Sequence, residues 1–301
     1  MKSKAKNGAA RGTALIITAG VFWGSMGIFV RTLGKYGLSS IQIVCLRLTV
    51  AAVVFAALHA VLERDKLWIS PRDIPLFLGL GLGSILSFTV CYFTAINMMP
   101  LSTAAILLYT SPIWVMLMSC VFFREKLSVK KLCALACAFG GCVLVSGLSR
   151  GGLNVLGLLI GLGSGIGYGL YSILGSVALK KYPPLTVTTY TFVIAALGAW
   201  VICAPGDMTA KLAAAPSFGQ LALLLVLTGL ITAVIPFAAY TRGLAAVEAS
   251  RAAILATVEP MVATLVGAVV FAEPVTLRAA LGIALILVSI VLLNLKAGEK
   301  Q

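Results

Sequence analysis

Ten stretches of this sequence, at 13–30, 41–62, 74–96, 101–123, 129–148, 153–177, 185–204, 218–240, 249–272 and 276–295, read as membrane spans. About 20 apolar residues wound as a helix cross the ~30 Å hydrocarbon core of a bilayer. Hydrocarbon offers no water to an unpaired N–H or C=O, so each segment must satisfy its own backbone, and a helix does so. The chain is therefore expected to be an all-α integral membrane protein of ten transmembrane helices. Its 11% charged residues fall far below the quarter usual in soluble domains. The connections are short, the longest being 63–73 and 205–217. The basic stretch Met1–Arg11 precedes an apolar run, as in a signal peptide, but that run has a counterpart at the start of the second half and reads as the first span.

A long segment is also written twice. Residues 92–128 recur at 240–276 with a constant offset of 148 and no gap. Apolar coincidences mean little in so greasy a chain. The matched Tyr92/Tyr240, Ser102/Ser250, Pro112/Pro260, Glu125/Glu273 and Ser128/Thr276 carry the argument. A fixed-period match marks internal duplication. It divides the chain into five-helix repeats at 13–148 and 153–295. Five is odd, so the second repeat enters the membrane from the opposite side, giving two inverted five-helix repeats. Secondary transporters use this arrangement, with the substrate near the midplane where the repeats meet.

The net charge of +14 would suit nucleic acid, yet the cations sit in short loops, as membrane topology dictates. With the N-terminus inside, 17 cations fall on the inner side: Lys2, Lys4, Lys6, Arg11, Arg64, Lys66, Arg72, Arg124, Lys126, Lys130, Lys131, Lys180, Lys181, Arg242, Arg251, Lys296 and Lys300. Outside lie 5: Arg31, Lys35, Arg150, Lys211 and Arg278. Both termini are expected in the cytoplasm, with the chain multi-pass in the cell membrane and no nucleic-acid partner. The seven cysteines lie within or at the edge of apolar runs and suit packing, not disulfides or a metal. None of the glycine runs matches a P-loop or dinucleotide fingerprint, so uphill transport would draw on an ion gradient or exchange.

Trp23-Gly24 in the first span is answered by Tyr168-Gly169 in the sixth. With Arg47 in the second span, Glu259-Pro260 and Glu273 in the ninth, and the paired halves, these residues resemble the EamA-type branch of the drug/metabolite transporter superfamily. The resemblance covers nearly the whole chain. It implies a secondary active transporter working by alternating access, exporting small metabolites such as amino acids. The alternatives are a multidrug or cation efflux carrier of the same fold and, further off, a membrane-embedded enzyme. Catalysis would need clustered His, Asp, Cys or Ser with base partners, and His59 is the single histidine. No enzymatic activity and no cofactor are expected. The partners are a small-molecule substrate and the lipid bilayer, with the chain a monomer or homodimer.

Glu259 is the one acidic residue well inside a span, ten residues into the ninth. An intramembrane carboxyl is costly and marks a functional site by default. Small neighbours Ala252, Ala256, Ala263 and Gly267 leave room for a ligand, or equally for close helix packing. Ser111-Pro112 is its counterpart in the fourth span, and helix kinks are expected at Pro112 and Pro260. Ser84, Ser87, Cys91 and Thr94 form a stripe at helical spacing in the third span; Thr228 and Thr232 lie one turn apart in the eighth. Such stripes face a path or glue helices together. Ser87 and Ser111 join Trp23, Tyr92 and Tyr168 as candidate substrate contacts, the aromatics pairing apolar area with a polar tip. Arg47 either packs and snorkels toward the outer face or meets an anionic substrate or Glu259. Glu125 and Glu273 end their spans against the helix dipole, so another group must hold them. Ser128 and Thr276 then read as N-caps. Glycines at 161, 163, 165, 167 and 169, at 79 and 83, and at 20 and 24 are expected to mark close helix contacts.

Overall fold

A computed structural model describes residues 2–147 and 154–295, with side chains from Gly8 onward. Among the described residues it is all helix, with ten helices long and apolar enough to cross a membrane. In chain order they are α1 Gly8–Gly34, α2 Ser40–Leu62, α3 Pro71–Met98, α4 Leu101–Phe123 and α5 Val129–Ser146. The second set is α6 Val155–Ala178, α7 Pro184–Ile202, α8 Phe218–Leu244, α9 Ala249–Phe271 and α10 Leu277–Asn294. Arg150, Lys296 and Lys300 lie outside the described residues, as do the boundaries at 148 and 153. The connection 205–217 carries a short helix, Pro205–Ala213.

Polar side chains fix the helix starts. Ser39 and Gln42 form a capping box at α2, and Asn154, Ser217, Ser128 and Thr276 each accept a bond from a first-turn N–H of the helix they precede. Such caps satisfy donors that the helix leaves free. The turns after α4 and α9 end in left-handed residues, Arg124 and Ala272, both at φ 54°. The following amides repeat as well, Glu125 N–H to Ser119 O and Glu273 N–H to Gly267 O. Each glutamate has a cation: Lys131 Nζ is 3.1 Å from Glu125, and Arg31 Nη1 is 2.7 Å from Glu273.

The packing maps onto itself when α1–α5 and α6–α10 are exchanged. The most extensive pairs are α5 with α10, α2 with α7, α1 with α8 and α3 with α6. Exchange leaves the first two unchanged and converts the other two into each other. Small residues allow the closest approaches, as membrane helices require. A Cβ on Gly141 of α5 would stand 2.7 Å from the Gly282 carbonyl of α10, and a Cβ on Gly282 would meet the Gly141 carbonyl at 2.7 Å. Of the pair expected at Gly79 and Gly83, only Gly79 meets a neighbour, Leu174 of α6 at 3.1 Å from its Cβ position; a Cβ on Gly83 would meet nothing within 4 Å, and Gly81 packs on α7. The reason is a π-wound stretch, Gly79–Leu86, whose wider turn rotates the contact face. A second π stretch interrupts α8 at Leu230–Val234.

Candidate substrate site

The two helices that meet the centre are both broken. α4 divides at Tyr109–Thr110 into Leu101–Leu108 and Ser111–Phe123; α9 divides at Thr257 into Ala249–Ala256 and Val258–Phe271. Pro112 and Pro260 open the second segments, where a missing N–H costs nothing because first-turn donors have no intrahelical acceptor. The Thr110 and Thr257 hydroxyls donate to Leu107 O at 2.6 Å and Ile254 O at 2.7 Å, satisfying carbonyls at the breaks. Helix α1 presses on the break in α9, since a Cβ on Gly24 would be 2.7 Å from the Glu259 carbonyl oxygen. Its counterpart Gly169 of α6 meets the Ser111 carbonyl of α4 in the same way, at 3.3 Å.

Glu259 lies in the first turn of its segment, where unpaired N–H groups favour a negative charge. Tyr168 Oη donates to Glu259 Oε2 at 3.0 Å. The Tyr168 ring packs on Phe88 at 5.3 Å and Trp23 at 6.2 Å between centroids, and Trp23 packs on Phe237 at 5.0 Å and Tyr240 at 5.4 Å. Two spaces adjoin the helix breaks, and Tyr168 lines the smaller of them. A crevice of about 1030 Å³, walled by Tyr92, Ser102, Tyr109, Pro260, Ala263 and Glu273, opens on the face that carries the α9–α10 connection. A narrow cleft of about 20 Å³ lies among Trp23, Ser111, Tyr168, Ser172, Tyr240 and Ala253, room for no more than about one water. At the cleft wall, the Ser172 and Tyr240 hydroxyls are 2.7 Å apart and those of Tyr171 and Thr241 2.6 Å, tying α6 to α8.

The fold thus brings Glu259, Tyr168, Trp23 and Ser111 together and sets Tyr92 on the crevice wall. Glu259 itself, Ser87 and Arg47 are on neither wall. Ser87 donates to its own helix at Gly83 O, 2.5 Å away. Arg47 does not snorkel: it is 4% exposed, Nη1 donates to Met26 Sδ at 3.1 Å, and Nε has no partner. Among the described residues no carboxylate lies within 4.0 Å of it. The polar stripes act as glue or bond their own helices: Ser84 donates across to Gly167 O of α6 at 2.9 Å, while Thr228 and Thr232 bond carbonyls one turn back in α8. The sequence reading passed over Tyr109, Ser172 and Phe237. Tyr109 stands two residues before Ser111, as Thr257 stands two before Glu259, a repeated hydroxyl that marks the break.

The family model described as the EamA-like transporter family matches residues 10–147 and again 155–295. The chain belongs to this family. It is a multi-pass membrane transporter. Two Archaeoglobus fulgidus proteins, each described as an uncharacterized transporter, are similar along almost their whole length. One is 30% identical over 283 residues, covering 93% of this chain and 95% of the relative; the other is 28% identical over 279 residues, covering 92% and 95%. The Bacillus subtilis uncharacterized transporter YwfM is 24% identical over 298 residues, covering 95% and 94%. A solved crystal structure superposes with a TM-score of 0.79 at 19% identity, covering 95% of this chain and 96% of the other. In this EamA-like transporter, then, the broken α4 and α9, the crevice and the cleft belong to a fold that extends over nearly the whole chain.

Proposed function

We propose that this transporter is a secondary active exporter of small amphipathic metabolites such as amino acids, working by alternating access between two inverted five-helix halves. The observation that carries the reading is the Tyr168–Glu259 pair, in which Tyr168 lines the cleft and Glu259 immediately precedes Pro260 on the crevice wall. A carboxyl at that point can meet a substrate ammonium or take a proton, and the two occupants exclude each other. The walls offer a few hydroxyls on an apolar, aromatic surface, which suits a small amphipathic solute. A polyanion would need several buried cations, and Arg47, the buried guanidinium, stands off both spaces. The exchange of packing partners between α1–α5 and α6–α10 supports a two-fold axis in the membrane plane.

The test is transport in proteoliposomes against an amino-acid panel with and without a pH gradient. Glu259→Gln keeps the shape and removes the charge. It should reduce coupled transport by roughly tenfold or more, the equivalent of about 1.4 kcal/mol, while the protein still inserts and elutes as the wild type does. Unchanged rate and pH profile in Glu259→Gln would make the carboxyl structural. A second reading, efflux of organic cations, has its own support in the aromatic cluster of Trp23, Phe237 and Tyr168, the last of which bonds the Glu259 carboxyl, since aromatic faces attract cations. A quaternary ammonium panel in the same vesicles separates the two.

A further inference from the structure

Three pairs of equivalent residues of the two halves divide between the crevice and the cleft. Tyr92, Ala105 and Ala263 line the crevice; 148 residues away in each case, Tyr240, Ala253 and Val115 line the cleft. One space is about fifty times the volume of the other. The difference at their mouths follows the same numbering. At the cleft end, Ser250 donates to Glu125, and Lys131 bridges Glu125 at 3.1 Å and Glu248 at 2.6 Å. These groups join the α4–α5 turn to the start of α9, where Ser250 stands three residues before Ala253 on the cleft wall. At the crevice end the counterparts of Glu125 and Ser250 are Glu273 and Ser102, and both line the open crevice. Arg31 holds Glu273 there, at 2.7 Å.

We infer that the cleft is the collapsed cytoplasmic half of the substrate path, and that Glu125–Ser250 is a latch whose second copy, Glu273–Ser102, forms when the first opens. This rests on the alternating-access reading above and adds the path and the residues that close it. The physical basis is the same at both ends. Ser250 and Ser102 each lie in the first turn of a half-helix, Ala249–Ala256 and Leu101–Leu108, whose free N–H groups attract a carboxylate. Each glutamate follows a left-handed residue that turns it back toward the bundle. Closing the outer latch requires Glu273 to leave Arg31, and this pair is half exposed on both sides, so screening keeps it weak. The inner latch has Lys131 at 15% side-chain exposure, while the counterpart of Lys131 is Ala279. That asymmetry favours the state with the crevice open.

The experiment reads conformation rather than transport, so it can fail while the Glu259 reading stands, and the reverse. The full-length protein carries Ser102→Cys and Glu273→Cys, is reconstituted in liposomes and is oxidised with diamide; the 102–273 cross-linked peptide is quantified by mass spectrometry. Yield should be low with the inner latch intact and rise severalfold when Glu125→Gln is added, and again, independently, with Lys131→Met. In the same backgrounds Ala253→Cys should pass from protected to labelled by a maleimide supplied on the cytoplasmic side. Melting temperatures within a few degrees of the parent identify the variants that are folded. Cross-linking that stays flat in both latch variants, or an Ala253→Cys that stays protected in both, overturns the proposal.

Discussion

At the residue scale, the proposed mechanism rests on the hydrogen bond from Tyr168 to Glu259. A bond from a neutral donor to a charged group is worth about 1.5–3 kcal/mol. Tyr168→Phe keeps the ring against Trp23 and Phe88 and removes only the hydroxyl. It should cut proteoliposome transport roughly tenfold with little loss of melting temperature; a full rate in Tyr168→Phe would show that the carboxylate needs no donor there. Arg47 is the opposite case, since its Nε lacks a partner and no carboxylate touches it. A buried guanidinium bonded only to a methionine sulfur is costly to keep. Arg47→Met should therefore be neutral or stabilising in a thermal melt if the residue serves packing alone.

At the element scale, the contact of α1 with the break in α9 depends on a missing side chain. Gly24→Ala would drive a Cβ into the Glu259 carbonyl and Val262, an overpacking worth about 1–3 kcal/mol. Gly27 is the internal control, with nothing within 4 Å of its Cβ position, so Gly27→Ala should hold or raise the melting temperature. Thermal melts of the two variants in one detergent decide the point. On the crevice face, Lys211 first and Gln42 after it hold Asp207 below the ordinary carboxylate range. A group depressed on folding adds stability above its unfolded pKa, near 3.8, and loses it as pH falls through the folded value. Hydrogen exchange across 205–213 should therefore quicken as pH drops below about 4 once corrected for intrinsic rate, and Asp207→Asn should abolish that step.

At the scale of the whole molecule, interloop contacts divide the connections into two sets. Lys181 and Tyr182 reach Asp73, and Lys131 joins the 124–128 turn to Glu248. On the other face Arg31 reaches Glu273 and Gln42 reaches Asp207. These groupings pair loops that the count of Lys and Arg assigns to one side. Reporters fused after Lys296 should accordingly read cytoplasmic, and reporters inserted in 205–217 should read external. A periplasm-active reporter working at the C-terminus would reverse the orientation.

The ten helices, their caps at Ser128 and Thr276, and the recurrence at 148 residues were legible in the sequence, because hydropathy, capping chemistry and duplication are properties of the chain itself. Glu259 was legible for the same reason: a carboxyl amid apolar residues stands out wherever the helix packs. What the tertiary structure alone decided is which polar groups face one another. Ser87, Ser84 and Thr232 match the composition of a substrate path, yet their hydroxyls bond carbonyls, since in hydrocarbon the nearest free acceptor is usually backbone. The π turns in α3 and α8 rotate the helix faces away from the 3.6-residue spacing on which a stripe is drawn, so Gly81 rather than Gly79 and Gly83 meets α7. The unequal sizes of two spaces that share three pairs of equivalent residues appear in no linear pattern, because a repeated sequence describes both halves alike and only their packing distinguishes the larger one from the smaller.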